Sequence, residues 1–171
     1  MVRWVSMLVA FTVLAAWAGA QNPVAQTLSP EDKLRLLRTN SALLDDLVRD
    51  GVAMSATSDP VQRAVRCREA SLSLVAAVGE AARAEDAERV AELTGLFREV
   101  VRDGLVPTMN EARQSVPPQS PGAQKLRDLQ TLATNDVSGL KTAIPASGKV
   151  GDNPRVKDAR KQLDELTEAL K

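Results

Sequence analysis

The chain has 171 residues, 44% hydrophobic and 26% charged, with 22 Lys and Arg against 22 Asp and Glu, no His, no Tyr and one Cys. Trp4, Trp17 and Phe11 all fall within the first 20 residues, so Phe97 is the only aromatic beyond them. The balanced charge excludes an electrostatic nucleic-acid footprint, the missing rings exclude base-stacking platforms, and the missing imidazole removes the commonest general base and metal ligand.

Residues 1–20 read as an export signal. Arg3 and the amino terminus supply the positive n-region, and an apolar run from Val5 to Ala18 follows. Ala18-Gly19-Ala20 then offers the small-x-small pattern of a cleavage site, with Ala18 and Ala20 as its recognised positions. The run is shorter than the ~20 apolar residues that span a bilayer, which favours cleavage over a retained anchor. A mature start at Gln21 and an extracytoplasmic location, periplasmic or secreted, are therefore expected, with no stable membrane span after cleavage. Residues 21–28 read as an extended tether. In an oxidising compartment the single Cys67 cannot form an intrachain disulfide. Its neighbours Ala64, Ser71, Leu74 and Val78 point to burial rather than to an intermolecular bridge.

One physical device recurs along the rest of the chain. Ser29-Pro30, Asp59-Pro60, Ser120-Pro121 and Asn153-Pro154 each set a capping side chain before a proline. Ser, Asp and Asn accept a hydrogen bond from the free N–H groups of a first helical turn, and proline tolerates the first helical position because its N–H is not needed there. Each pair precedes apolar residues spaced by three and four, the period of one helical face. The first stripe holds Leu34, Leu37, Leu44, Val48 and Val52, widened by Leu36, Leu43 and Leu47. The second holds Ala64, Cys67, Ser71, Leu74 and Val78. The stripe after Pro121 holds Leu126, Leu129, Ala133, Val137, Leu140 and Ile144. The last holds Val156, Ala159, Leu163, Leu166 and Leu170.

Residues 60–115 contain no strong stop, yet one helix of that length would run about 84 Å at ~1.5 Å per residue. A fold-back at Arg83-Ala84-Glu85-Asp86 is expected, with Val90, Leu93, Phe97, Val100 and Gly104 opening a new stripe that kinks at Pro107. The helices are placed near 30–56, 60–83, 87–114, 121–143 and 154–170. The fold class is all-α: four to five antiparallel helices, with residues 29–144 as the bundle, 145–153 as a flexible linker and 154–171 as a short amphipathic C-terminal helix. Val-Arg-Asp-Gly occurs at 48–51 and again at 101–104, a match close to chance in an Arg- and Val-rich chain.

Nothing in this pattern assembles a catalytic, cofactor or metal site. Glu85, Glu88, Glu92, Glu99 and Asp103 read as a solvated face supported by pairs such as Glu85 with Arg89 and Glu99 with Arg102. Adjacent carboxylates such as Asp45/Asp46 point about 100° apart and do not share a substrate atom. The expected function is a non-enzymatic bundle acting through protein–protein contact in the cell envelope, with an unknown envelope protein or a second copy as partner. Val156, Ala159, Leu163, Leu166 and Leu170 form the candidate interaction face, a narrow seam that needs a partner, either the chain's own bundle or another chain in a short coiled coil. The alternative is an extracytoplasmic sensor or carrier of an apolar ligand or, weakly, a divalent cation. Intact mass of the chain recovered from cells is expected to begin at Gln21, and that product should be nearly silent at 280 nm; a mass that retains residues 1–20 overturns the cleavage.

Overall fold

The computed structural model describes residues 30–170, and individual side chains from Asn40 onward. The leader, the Ala18/Ala20 cleavage motif, the tether, the Ser29 cap and the side chains of Leu34, Leu36 and Leu37 lie outside the described residues. The chain divides into two compact units at Arg38/Thr39, and the second, Thr39–Lys171, is the bundle. Its elements in order are α1 (Pro30–Ala56), α2 (Pro60–Arg83), α3 (Ala87–Glu99), a π-helical turn (Val100–Leu105), α4 (Val106–Ser115), α5 (Pro121–Ala143), α6 (Gly148–Gly151) and α7 (Pro154–Ala169). No strand occurs among the described residues, and the helices pack against one another as an all-α bundle.

The proline devices start helices as their chemistry requires. Asp59 accepts from the Val61 N–H at 2.9 Å, Ser120 from Ala123 at 3.2 Å, and Asn153 from Arg155 at 2.9 Å. The fold-back after α2 falls at the expected place. The Asp86 N–H donates to the Ala81 carbonyl and the Glu85 N–H to the Ala82 carbonyl, at 3.0 and 3.1 Å. Those two bonds make a Schellman motif, which closes the orphan carbonyls of a helix end through a residue in the left-handed region. That residue is Glu85, at φ 56°, where glycine is the usual occupant. Asp86 then caps α3 by accepting from the Arg89 N–H.

Helix α2 packs against α3, the π turn, α4 and α5, and α7 closes the bundle against α3 and α5. The expected seams of α2, α5 and α7 are all buried, residue for residue. The stripe after Phe97 differs. Val101 and Leu105 are buried where Val100 and Gly104 were expected, and Met109 and Ala112 continue the line. The π turn is the cause. A π ring adds a residue to the turn, so every later side chain advances by one position on the face. Within it the Val106 N–H donates to the Val101 carbonyl, five residues back. Pro107, which has no N–H to give, then enters α4 without ending the rod.

The segment 145–153, expected as a flexible linker, instead holds the single turn α6, with Val150 and Gly151 buried. Val150 supplies an apolar anchor that its Gly-rich surroundings disguise. A Cβ on Gly151 would lie 2.4 Å from the Ala146 carbonyl carbon, so the loop closes on bare backbone.

A Cβ at Gly104 would meet the Cys67 Sγ at 2.9 Å. Gly104→Ala is therefore expected to destabilise the fold by about 1–2 kcal/mol through overpacking, although alanine is the better helix former by about 1 kcal/mol. In a Cys67→Ala background the same change should become neutral or stabilising, because the obstructing sulfur is gone. Thermal melts of the four proteins of this cycle measure the coupling, and additive effects would refute the contact.

Candidate interaction surface

The five residues expected to form an interaction face on α7 are turned inward. Val156, Ala159, Leu163, Leu166 and Leu170 are buried, with α3 and α5 covering the helix. Of the two uses expected of this seam, the structure shows docking on the chain's own bundle, so these five residues do not form a face open to another chain: two heptads of helix are marginal alone, and here the partner they need is internal. Polar links fasten the same helix. The Arg98 guanidinium donates to the Gln162 amide oxygen at 2.7 Å, and the Gln130 amide donates to the Leu170 carbonyl at 2.6 Å. Arg160 donates to the Ile144 and Lys141 carbonyls, satisfying the C-terminal end of α5 from the side.

The exposed apolar surface lies at the other end of the sequence. Leu44, Val48 and Val52 on α1 are 58%, 64% and 64% exposed. Leu43, Leu47 and Met54 on the same helix pack against the core. Adjacent helical residues point about 100° apart, so α1 carries two apolar faces, one docked and one open. The first stripe was read as a single core face widened by its neighbours; among the described residues, the widening Leu43 and Leu47 dock, whereas Leu44, Val48 and Val52 of the stripe face outward. The doublets Leu43-Leu44 and Leu47-Val48 are the sequence signal of that second face, because the members of a doublet point about 100° apart and a contact on one side of a helix need not cover both.

Polar contacts fix how α1 presents this face. Arg89 of α3 donates to the Asn40 side-chain oxygen, and the Thr57 hydroxyl donates to the Ala53 carbonyl at 2.7 Å. Arg49 pairs with Asp46 at 2.6 Å along the helix. Beside α1, a groove of about 420 Å³ runs against α2, floored by Leu72, Ala76 and Ala77 and edged by Asp46 and Glu80. A second groove, about 360 Å³, lies against α7 between Ala91, Arg155 and Gln162.

The acidic residues around α3 are distributed among separate cations. Glu88 receives Arg155, Glu85 faces Lys149 at 3.7 Å, and Glu92 faces Arg89 at 3.8 Å. Asp103 takes Arg102 at 2.7 Å. The expected pairs Glu85–Arg89 and Glu99–Arg102 are replaced: Glu85 sits in the turn before α3 rather than on its surface, and Arg102 reaches its immediate neighbour. Hydrogen bonding to Arg102 holds the Asp103 carboxyl below its ordinary range. No group of three or more His, Cys, Asp or Glu side chains among the described residues is placed to hold a metal ion. No helix among them is long and apolar enough to cross a membrane.

One polar pair is half-buried. Arg68 of α2 makes a two-pronged bond to Asp136 of α5, at 2.7 and 3.1 Å, joining the two helices beside the core. Comparison of the chain with protein-family models, with curated proteins and with solved structures gives no match.

Cys67 is buried and free, its thiol directed at the Val100 carbonyl 3.6 Å away. Burial pushes its pKa from the ordinary 9.0 up to about 11. The native state thus keeps its proton after the unfolded state has lost it, so this thiol's contribution to stability is present below about pH 9 and is lost as pH rises towards 11. The melting midpoint should fall more steeply between those pH values than in Cys67→Ala. A maleimide should leave the native thiol unmodified at pH 8 and label it in guanidinium; labelling of the native chain would contradict its burial.

Proposed function

We propose that this protein is an exported, non-enzymatic helical bundle of the cell envelope that works by binding another polypeptide through the outward face of α1. The carrying observation is the open Leu44/Val48/Val52 line on a helix already docked by its other side. Aliphatic side chains in a four-residue repeat are the anchors by which one helix is recognised by another. A contiguous exposed apolar patch on a small domain marks interaction surfaces far more often than singly scattered residues do. The N-terminal leader pattern supports export, and a mature chain without His, Tyr or Trp supports a role that needs no proton transfer or transition metal. Protein contact was already expected from the sequence; its location moves from α7 to α1.

A photo-crosslinking side chain placed at Val48 in the intact organism tests this reading. Covalent adducts are expected from position 48 and not from the exposed control position Lys161 on α7. Absence of adducts at 44, 48 and 52 would overturn it.

A further inference from the structure

We infer that the outward face of α1 is a two-fold interface, on which a second copy of this chain lays its own α1 antiparallel with Val48 at the axis. This rests on the reading of α1 as the binding surface and specifies what covers it. A closed two-fold contact requires a patch complementary to itself under reversal. The face of α1 has that property. Counting outward from Val48, Leu44 and Val52 stand four residues away on either side, and Ser41 and Ser55 stand seven away. All five share one side of the helix at ~100° per residue. An antiparallel pair centred on Val48 therefore sets Leu44 against the second copy's Val52 twice, Val48 against itself, and serine against serine at both ends.

The charges obey the same operation. Asp45 and Arg49 lie on one flank of the apolar line, about 60° and 100° from Val48. A two-fold axis normal to the helices brings like flanks together with their direction reversed. Asp45 then falls within about 3 Å, measured along the axis, of the second copy's Arg49, and the reverse pair forms as well. The Arg49 side chain is 69% exposed and free to exchange its helical partner Asp46 for this contact. Asp46 and Asp50 point to the opposite side of the helix, and the two Arg49 side chains, themselves about 3 Å apart along the axis, are each flanked by an Asp45 of the other copy. On the other flank Gly51 has open space around its Cβ position, which permits close backbone approach. A contact of three aliphatic side chains per copy is small, so the association is a concentration-dependent equilibrium with a dissociation constant of ~10–100 μM.

The test uses the chain as it accumulates in cells. Sedimentation equilibrium from about 1 μM to 1 mM should show monomer and dimer, and Val48→Asp should weaken the dimer at least ~100-fold while the melting midpoint is unchanged. Asp45→Arg should weaken it, and adding Arg49→Asp should restore it. Register is read separately in a Cys67→Ala background under a mild oxidant: V48C should link to itself, and L44C should link to V52C in preference to another L44C. A monomer at every concentration, or L44C joining L44C preferentially, overturns the inference. A monomeric chain whose position 48 still captures a different protein in cells would end self-pairing and leave the interaction reading standing. A monomeric chain that also yields no adduct at positions 44, 48 and 52 in cells would end both.

Discussion

The bundle depends on how closely α2 approaches the rod formed by α3, the π turn and α4. Its contact seam runs Ala64, Cys67, Ser71, Leu74, Val78, small at one end and branched at the other. Beyond its first 20 residues the chain has one aromatic ring, Phe97, to fill space, so it must reach interior packing density with aliphatic side chains and short distances. At the narrow end that requirement is met by a sulfur against a glycine: Cys67 lies where Gly104 has no side chain, and its thiol points at the Val100 carbonyl inside the π turn. At the wide end Leu74 and Val78 are fully enclosed and the core broadens to admit Phe97 and Leu93. The taper explains why one rod is tolerated with an irregular turn in its middle. The π turn moves the buried line from the 97–100–104 spacing to 97–101–105–109, and this places Gly104 beside the sulfur while Leu105 and Met109 fill the core.

Around this contact, polar groups bind the outer helices. Arg68 to Asp136 joins α2 to α5, Arg63 to Glu111 joins α2 to α4, and Arg98 to Gln162 joins α3 to α7. An exposed pair such as Arg63–Glu111 contributes little stability, about 0–1 kcal/mol, while Arg68–Asp136 and Arg98–Gln162 are partly buried. Their value is in register, because each fixes which turn of one helix faces which turn of the next. Helix α7 shows it best: its apolar seam could slide along the groove between α3 and α5, but Gln130 grips its last carbonyl and Arg160 reaches back to the end of α5. A helix held at both ends of its seam belongs to the core, not to a partner.

What could be read from the chain was whatever a local rule decides. Asp59, Ser120 and Asn153 announce helix starts because a cap and a proline act within one turn, and the seams of α5 and α7 follow from period alone. Three features escaped for physical reasons. The π turn at Val100–Leu105 leaves no mark in the sequence pattern, because hydrophobic period does not count residues per turn. The left-handed Glu85 carries none of the glycine signal that marks a Schellman motif. Val150 is a lone apolar residue among Gly, Ser and Asp, and its burial depends on the surfaces of α3 and α7. The open apolar face was misplaced for a related reason: periodicity ranks faces by how apolar they are, whereas burial is decided by what lies opposite. The narrow stripe of α7 found a groove, and the broad stripe of α1 exceeded the one it had.

That excess is itself informative. A helix that needed only to dock would do so with Leu43, Leu47 and Met54 and turn polar side chains to solvent, as α7 does, whereas α5 exposes only the single Leu132 among its large apolar residues. The same Val-Arg-Asp-Gly run appears in both environments: Val101 is 2% exposed inside the rod, Val48 is 64% exposed on α1. Identical local chemistry thus serves a core at one site and an open face at the other, so the tetrapeptide alone does not determine exposure. Both valines have apolar residues four positions before and after; what differs is what lies opposite, since Phe97, Val101 and Leu105 are buried whereas Leu44, Val48 and Val52 form an open line about two turns long. An isolated exposed valine calls for no explanation, but three on one side of a helix do. A line whose halves match under reversal, bordered by one acidic and one basic residue in the order that reversal makes attractive, is better accounted for by a copy of itself than by an unrelated surface.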